Sequence, residues 1–589
     1  MSVEAAKPER RSRMWLVLAM VANAAIVSAT LLGPLMGQRW WSGFRGYFSY
    51  DQLAYGAIAS NVSVGASSFV EPYTLTGTSF YPSLWYQSIG LISRVTGLPV
   101  HLLWTILGML VVCAAVLSVG WLAYRLSGRA WAPLLPSLAI LTGTLSVPVA
   151  HYWYSPLGEH AVLWGPFGTL FVLNAEVVGL SLAAVAMTLL VLAARGTSTS
   201  PRMRAVQVIA AAAIVGLTAN IQTYSFFTAS SVAALFIASR TLLARRSRAL
   251  TLTTVGLVTA VLLIGSLLSA ALGPLPIFAL LLFALLPAAW PLLHAHLRLA
   301  IAAGVVFAAL AAPQVLRTAW GLVTGDPFLT YRQGSTQNLG VVYANTVFAS
   351  VPLILLAIAC IFAVARSSDA TIKALVIAPL VGLVIMATND LWGFHQEPYR
   401  FWLQYATLAL LLLSAVLAWG LAQPLPRPQR AYFLSAAGLF AVAWFVGLAD
   451  VSGFATFARD QGIVAMDTQQ LTAARSMLAD KSGDLVMSSK CLTPGILKNA
   501  TKGRIAAYNK GLAWPTDVKA FEIFTDPGRR AGEDPVALRA AKVRYVLTDS
   551  ACADDWSFSP TQNIVPLKKS AYLKDGQPQE LTLWWVQPA

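Results

Sequence analysis

The sequence predicts a polytopic α-helical membrane protein with a small α/β domain near its C-terminal end. Three observations predict this fold class. The 589 residues are 57% hydrophobic and only 11% charged, with a mean hydropathy of +0.64. Many apolar runs reach the roughly 20 residues that a helix needs to cross a bilayer. Past residue 452 the composition becomes that of a water-soluble domain, because residues 453–589 hold 14 of the 25 Asp and Glu residues.

Thirteen membrane-spanning helices are expected. The first apolar run is long and lacks a small-residue cleavage site, which favours a retained span over a signal peptide. The predicted spans cover residues 14–36, 102–124, 131–150, 172–194, 205–221, 224–241, 250–272, 276–293, 299–316, 342–365, 372–388, 401–420 and 431–451.

The distribution of charge predicts the orientation in the membrane. The connections expected on one face carry Arg, Lys or His, which is typical of cytoplasmic loops. Residues 1–452 contain eleven Asp and Glu, most of them on the opposite face. We therefore expect a plasma-membrane protein with a cytoplasmic N-terminus and an extracytoplasmic domain over 453–589. The net charge of +16 then reflects membrane orientation and not nucleic-acid binding.

The first outer loop, residues 37–101, belongs to the membrane domain over 1–452 and holds the most informative stretch. Residues 44–55 place Asp51 among aromatic side chains close to the membrane surface. An ionisable group at such a depth is expensive to desolvate, so a functional role is the default interpretation. The alternative is an Asp that caps a helix over 52–61. A second helix is predicted over 83–96, with an apolar face suited to the membrane interface.

Polar and aromatic residues recur in the later outer loops. The sequence contains no phosphate-binding loop, nucleophile elbow or zinc-ligand spacing of the kind found in soluble enzymes. Because most acids of residues 1–452 fall on the outer face, any chemistry is expected there, where the loops contain Glu159, His160, Arg332, His395, Glu397 and Arg400.

The tail alternates helical and strand patterns, which predicts a small α/β domain. A helix is expected over 468–480 with Asp467 as its N-cap, and another over 534–541. Strands are expected over 484–488, 504–509, 543–548 and 581–586.

Two of the four cysteines, Cys491 and Cys552, each follow a predicted strand of the tail. An oxidising outer compartment would allow a disulfide between them, and two unpaired thiols are the alternative.

The layout as a whole resembles the GT-C superfamily of membrane glycosyltransferases. That superfamily carries its catalytic Asp or Glu in the first outer loop, where Asp51 stands. Within it, the run Thr-Gly-Thr-Ser-Phe-Tyr-Pro-Ser-Leu-Trp at 76–85, Thr-Gly-Leu-Pro at 96–99 and the Asp51–Gln52 pair are similar to actinobacterial arabinofuranosyltransferases that prime cell-wall galactan. Ser83 departs from that pattern, because those proteins have a second Pro there.

The resemblance implies inverting transfer of a sugar, arabinofuranose favoured, from a polyprenyl-phosphate donor to a cell-envelope glycan at the outer surface of the lipid bilayer. Asp51 would be the catalytic base. No cofactor is expected to be required, and a divalent metal remains an open alternative. Cations would hold the donor phosphate, namely Arg400, Arg332 and His395. Sugar and acceptor contacts would come from Glu71, Tyr81, Trp85, Glu159, His160 and Glu397.

Structural roles compete with several of these functional ones. Arg400 is also expected to pair with Glu397 as a clamp, and Glu71 to cap a turn before Pro72. Single aromatic residues are common in the belts that anchor membrane proteins at the interface. The competing functions are a membrane mannosyltransferase of the same fold and a non-catalytic transporter or scaffold for envelope glycan assembly.

Overall fold

The computed structural model describes most of the chain, and the following statements concern that part. Glu159 and His160 lie outside it. The described residues are 10–47, 49–142, 165–196, 200–335, 346–347, 349–522, 524, 535–559 and 562–588.

Helices dominate the described residues. In chain order they are α1 Arg10–Leu32, α2 Ser49–Ser63, α3 Leu84–Thr96, α4 Val100–Ser127, α5 Leu135–Ile140, α6 Gly165–Phe171, α7 Ala175–Arg195, α8 Pro201–Thr218, α9 Thr223–Arg245, α10 Arg248–Leu272, α11 Pro274–Ala284, α12 Leu286–Ala295, α13 Leu297–Val323, α14 Pro327–Ser335, α15 Val351–Val364, α16 Ala370–Ala387, α17 Pro398–Ala422, α18 Arg427–Gln461, α19 Gln469–Leu478, α20 Pro494–Thr501, α21 Val518–Glu522 and α22 Pro535–Ala540.

The strands are short near the first outer loop and longer in the tail. They are β1 Gly43–Arg45, β2 Ile463–Ala465, β3 Leu485–Met487, β4 Arg504–Ile505, β5 Tyr545–Asp549, β6 Ile564–Lys574 and β7 Gln577–Val586.

The length and apolarity of the helices identify a multi-pass membrane protein. Within the described ranges, nine helices are long and apolar enough to cross a membrane, or ten if the pair α11–α12, bent by 56°, is one span. Three predicted spans lack such a helix. The span at 131–150 is described only to residue 142. The spans at 205–221 and 342–365 coincide with the helices α8 and α15, which are not among the nine. The total of thirteen stays a prediction.

The chain divides into two compact units, each built from three segments. Unit one comprises Met1–Pro34, Gly108–Val315 and Gln333–Phe457. Unit two comprises Leu35–Leu107, Leu316–Arg332 and Ala458–Ala589. The predicted division into domains 1–452 and 453–589 remains a proposal. In the structure, the segment predicted as the first outer loop, 37–101, belongs to unit two together with the tail.

Unit one is a helical bundle centred on α17. Of the most apolar window in α17, 89% is buried, against 6% for α10. The helices α7, α9, α15 and α16 all pack on α17, so its side chains are buried on every side. The peripheral helices α10 and α13 instead expose large apolar side chains such as Leu263 and Val305, as expected of helices in contact with lipid.

Unit two contains a five-stranded sheet with the strand order β4-β3-β5-β7-β6. The strand β3 is parallel to β4 and β5, while β7 is antiparallel to β5 and β6. Side chains such as Leu485, Val546 and Ile564 form its core. The strand β6 was not predicted. Asp575 and Gly576 form its turn to β7 with positive φ angles, and an Asp-Gly pair is a sequence signal for such hairpins.

The N-cap of the first tail helix differs from the prediction. The helix α19 begins at Gln469, and the hydroxyl of Thr468 accepts a hydrogen bond from the amide of Leu471 at 3.2 Å. Asp467 as N-cap is therefore wrong. Asp467 instead pairs with Arg39 at 3.3 Å, and both side chains are largely exposed.

A small two-stranded sheet joins the first outer loop to the tail within unit two. The strands β1 and β2 are antiparallel, with Gly43 opposite Ala465 and Arg45 opposite Ile463. Two further backbone hydrogen bonds extend the pairing, from the Gly46 amide to the Gly462 carbonyl and from the Met466 amide to the Ser42 carbonyl, each at 2.8 Å. Segments far apart in sequence thus fold together.

Gly43 is expected to be essential to this pairing, because a side chain there would clash with the carbonyl oxygen of Val464. Gly43→Ala should lower the free energy of unfolding of unit two by about 1–3 kcal/mol, as overpacking does elsewhere. Thermal and denaturant unfolding of the detergent-solubilised protein, followed by tryptophan fluorescence, would measure this. Gly483→Ala is the matched control, since its added methyl group meets open space. Equal stability of the two variants would contradict the prediction.

Candidate active site

The helix α2 carries Asp51 in its first turn. It begins at Ser49, earlier than the predicted 52–61, so Asp51 lies inside the helix and not at its N-cap. Its side chain is half-buried, while Leu53, Ala54 and Ala57 behind it are buried in the core of unit two. The amide groups exposed at the first turn of a helix stabilise a negative charge there.

Side chains from the loop and the tail hold α2 in place. Gln52 is buried and its amide donates a hydrogen bond to the Tyr47 carbonyl, which fixes the segment before the helix. From α20, the side-chain amide of Asn499 donates to the Leu53 carbonyl at 2.8 Å, and its oxygen accepts from the Ser60 hydroxyl at 2.9 Å. The position of Asp51 therefore depends on residues of the tail, which sequence reasoning missed.

Two tyrosines lie near Asp51. Tyr50 is 57% exposed, whereas Tyr73 is buried with its hydroxyl against Gly495 at the start of α20. Burial raises the pKa of Tyr73 well above its ordinary value, and the charges of Tyr50, Glu71 and Asp51 raise it further. Tyr73 therefore stays protonated, and the two carboxylates lie within electrostatic range of its ring.

Glu71 forms a tight turn with the residues that follow it. It is fully buried, and one carboxylate oxygen accepts the Tyr73 amide at 2.9 Å while the other accepts the amide and hydroxyl of Thr74 at 2.7 and 2.6 Å. This arrangement corresponds to the turn-capping alternative, and it occupies both oxygens that a sugar would need.

Two buried ionisable groups, Glu71 and Lys498, lie at this turn. Burial raises the pKa of Glu71 to about 7, against the opposing effects of its hydrogen bonds and of Lys498. Burial likewise lowers the pKa of Lys498 to about 7, opposed by the charge of Glu71. The ammonium group of Lys498 donates to the Gly503 carbonyl at 2.7 Å. Sequence reasoning missed Lys498, since nothing in the pattern around it marks a buried lysine.

The two predicted aromatic contacts occupy different environments. Tyr81 is half-buried and stacks on Tyr55 at 5.3 Å, and Tyr55 stacks in turn on Tyr86 at 5.0 Å, so one face of the Tyr81 ring is covered. Trp85, in the first turn of α3, is only 8% exposed.

Two arginines of unit two belong to the short segment 316–332. Arg332 lies in the last turn of α14, half-buried. Arg317, which was not predicted, lies over the Phe69 ring at 3.9 Å and donates a hydrogen bond to the Ser79 carbonyl. Arg317 thus holds the run 76–85 that carries the resemblance to the arabinofuranosyltransferases.

Among the predicted residues, unit one contains Arg400, Glu397 and His395. Arg400 at the start of α17 pairs with Glu397 at 2.6 Å and with Glu176 at the start of α7 at 2.9 Å. Gln404 also donates to Glu176, at 3.1 Å. Arg400 therefore acts as a clamp with two carboxylates, of which only Glu397 was anticipated. The positive charge of Arg400 is therefore balanced by the carboxylates of Glu176 and Glu397.

The loop before α17 has an unusual backbone. His395 and Glu397 have φ angles of 49° and 34°, in the left-handed region that residues other than glycine rarely adopt. Asn389 stabilises the loop, since its side chain accepts the Gln396 amide at 2.7 Å and donates to the Met386 carbonyl at 2.7 Å. Such strained positions are often found at functional sites.

The structure joins Cys491 and Cys552 in a disulfide with Cα atoms 5.7 Å apart. Asp555 supports the same region by accepting the Ser489 hydroxyl at 2.7 Å and the Lys490 amide at 3.0 Å. Over the residues described, no three His, Cys, Asp or Glu side chains are placed to hold a metal ion. The expectation that no metal is required stays a prediction.

Comparisons with known proteins identify the fold. No protein-family model and no curated protein matches the sequence. Among solved structures, a variant of the arabinofuranosyltransferase AftD from Mycobacteria matches with a TM-score of 0.52 and 15% identity, over 100% of this chain and 42% of AftD. This chain has a GT-C fold.

A second AftD structure supports this fold assignment. It has a TM-score of 0.50 and 14% identity, over 99% of this chain and 40% of AftD, so this chain spans less than half of AftD. The structure of ArnT from Cupriavidus metallidurans bound to undecaprenyl phosphate has a TM-score of 0.47 and 12% identity, over 97% of this chain and 98% of ArnT. The GT-C fold rests on the AftD structures.

The raised pKa of Glu71 predicts a pH-dependent stability. Because folding favours its neutral form, the contribution is complete below about pH 4.5 and is lost as the pH rises through about 7. Glu71→Gln does not titrate, so the stability advantage of wild type over this variant should shrink by about 3 kcal/mol between pH 4 and pH 8. Denaturant unfolding at both pH values measures it. Glu580→Gln is the control, since the Glu580 side chain is 42% exposed, and it should show no such change. Parallel pH profiles for wild type and Glu71→Gln would contradict the assignment.

Arg400 is expected to contribute mainly to stability. Arg400→Gln leaves Glu176 and Glu397, whose side chains are 9% and 3% exposed, without their cation, and should lower the free energy of unfolding by about 3–5 kcal/mol. Removing the second charge in Arg400→Gln/Glu397→Gln should restore part of the loss. Arg430→Gln is the exposed control. An Arg400→Gln variant as stable as that control would argue against the clamp.

Proposed function

We propose that this protein is an inverting glycosyltransferase that moves a sugar from a polyprenyl-phosphate donor to a cell-envelope glycan on the outer face of the plasma membrane. The single observation that carries the proposal is the position of Asp51. Asp51 lies in the first turn of α2, in the segment that follows the first predicted span of a chain with a GT-C fold, and residues of the tail fix that helix.

In the proposed reaction Asp51 is the general base. It takes the proton of an acceptor hydroxyl as that oxygen attacks the anomeric carbon of the donor sugar. The bond from the anomeric carbon to the acceptor oxygen forms while the bond to the phosphate oxygen breaks, and the electron pair leaves with the lipid phosphate. A single displacement inverts the configuration at the anomeric carbon.

The leaving phosphate needs positive charge nearby. Of the three predicted cations, Arg332 is favoured because it belongs to the same compact unit as Asp51. Arg400 is already paired with two carboxylates, so its proposed role is to shape the start of α17. His395 remains a candidate on the strained loop before that helix.

Sugar contacts are proposed from exposed groups. Tyr50 offers an exposed ring next to Asp51, and aromatic rings of this kind pack on the apolar faces of sugars. Tyr81 contributes one ring face, whereas the burial of Trp85 and Glu71 favours structural roles for both. Glu397 is proposed to orient Arg400, and Glu159 and His160 remain sequence-based candidates.

The choice of arabinofuranose as the sugar rests on two supports. One is the run at 76–85 together with the Asp51–Gln52 pair, and the other is the likeness in fold to AftD. Mannose is the alternative sugar for the same reaction and site.

The test is transfer of labelled arabinose and mannose from polyprenyl phosphate to envelope glycan acceptors. Asp51→Asn removes the base while keeping the shape of the side chain. Transfer should fall by about 10²–10⁴-fold, with an unchanged thermal melt. Asp575→Asn is the matched control, since Asn tolerates the left-handed backbone of that turn and should retain activity.

Three outcomes are informative. Transfer of mannose in place of arabinose would correct the sugar and keep the mechanism. Equal activity of Asp51→Asn and Asp575→Asn would remove Asp51 from the reaction. An absence of transfer from both donors by well-folded wild type would favour the transporter or scaffold alternative.

A further inference from the structure

A cavity lies in unit one, and its lining residues come from segments other than the predicted outer loops. It has a volume of about 410 Å³, within the range of small-molecule sites. Five helices line it, namely α7, α8, α9, α12 and α13.

The cavity lies toward one end of these helices. Its lining includes Ala194, next to the last residue of α7, Pro201 at the first position of α8 and His296 directly before α13. Arg240 lies near the end of α9. The helix ends involved are those joined by the basic loops, where lipid headgroups meet a membrane protein.

The lining combines an apolar interior with a basic rim. Leu190, Val208, Phe236 and Leu293 are typical of the apolar part, which suits a hydrocarbon chain. The basic residues of the lining are Arg204, Arg240 and His296, and the described lining residues include no acid.

The basic residues are held differently. Arg204 and His296 are exposed. Arg240 is half-buried, and its Nε donates to the Thr371 hydroxyl at 3.1 Å while Nη2 donates to the Ala194 carbonyl at 3.0 Å. These two hydrogen bonds fix a guanidinium group in the cavity wall.

Asp369 lies two residues before Thr371, whose hydroxyl accepts a hydrogen bond from Arg240. It accepts the amides of Thr371 and Ile372 as the N-cap of α16, and it pairs with Arg195 at 3.4 Å. The negative charge of Asp369 is therefore balanced by Arg195, and neither residue belongs to the cavity lining. The arginines of the lining keep their positive charge.

We propose that this cavity binds one anionic phospholipid, with the phosphate group at Arg204, Arg240 and His296 and an acyl chain among the apolar side chains. Charge complementarity selects the headgroup, since basic pockets between membrane helices favour anionic lipids. The apolar majority of the lining selects a lipid over a free phosphate ion. A lipid bound there bridges five helices and stabilises unit one by binding only its folded state.

The experiment is native mass spectrometry of the delipidated full chain in detergent, titrated with dioleoyl phosphatidylglycerol or dioleoyl phosphatidylcholine. Wild type should retain one phosphatidylglycerol with an affinity at least about tenfold higher than for phosphatidylcholine. Arg204→Gln/His296→Gln should lose most of that preference. Arg246→Gln/His294→Gln removes the same two residue types from exposed sites near the same helix ends and should keep it.

A second pair of variants tests the chain-binding part without changing charge. Ala300→Trp fills the cavity and should weaken phosphatidylglycerol binding about tenfold or more. Ile301→Trp, on the neighbouring exposed position of α13, should have no effect. Thermal melts confirm folding of all variants.

Three results would overturn the proposal. The first is a wild type without preference for phosphatidylglycerol. The second is an equal loss in the two charge-matched double variants, which would indicate general surface attraction. The third is unchanged binding in Ala300→Trp, which would place the lipid outside the cavity.

Discussion

The antiparallel pairing of β1 with β2 is the constraint on which the candidate active site depends. It holds the segment before α2 against the start of the tail, and Asn499 then fixes α2 from the other side. Neither contact involves the chemistry of transfer. Both determine where Asp51 stands, and a general base must be placed within a few tenths of an ångström of its productive position to be effective.

The elements that depend on local pattern were predicted well. The helix expected over 83–96 is α3, Leu84–Thr96, because its apolar spacing and the glycine after Thr96 define it within the segment itself. The strands β3, β4, β5 and β7 were placed within about four residues for the same reason, whereas β6 was missed although the Asp575–Gly576 turn that follows it is a local signal. The likeness in fold to AftD agrees with the GT-C resemblance read from Asp51 and the run 76–85.

The elements that depend on distant partners were not predicted. The strands β1 and β2 have three residues each, too few for a periodic signal, and they form only because they pair with each other. The partnership of Glu176 with Arg400 spans 224 positions. The N-cap was missed for a different reason, since Asp467 and Thr468 are both good capping residues and only the backbone decides between them.

The charged residues divide by burial into two groups. Glu71, Lys498, Glu397 and Glu176 are buried, and their hydrogen bonds or ion pairs fix turns and helix ends. Asp51 is half-buried in the first turn of a helix, where exposed backbone amides favour a negative charge. Sequence alone cannot separate these groups, because the sequence around an acid in a predicted outer loop does not show whether its carboxylate accepts from a backbone amide or contacts a ligand.

The β1–β2 pairing also sets an order of events during biosynthesis. The strand β2 is synthesised more than 400 residues after β1, so at about 5–20 residues per second the first outer loop waits about 20 s or longer for its partner strand. Until then the strand edge of β1 and the apolar face of α2 have no tail to pack on. The helical bundle can insert in the membrane during this interval, but Asp51 reaches its final position only after β2 and α20 have been synthesised.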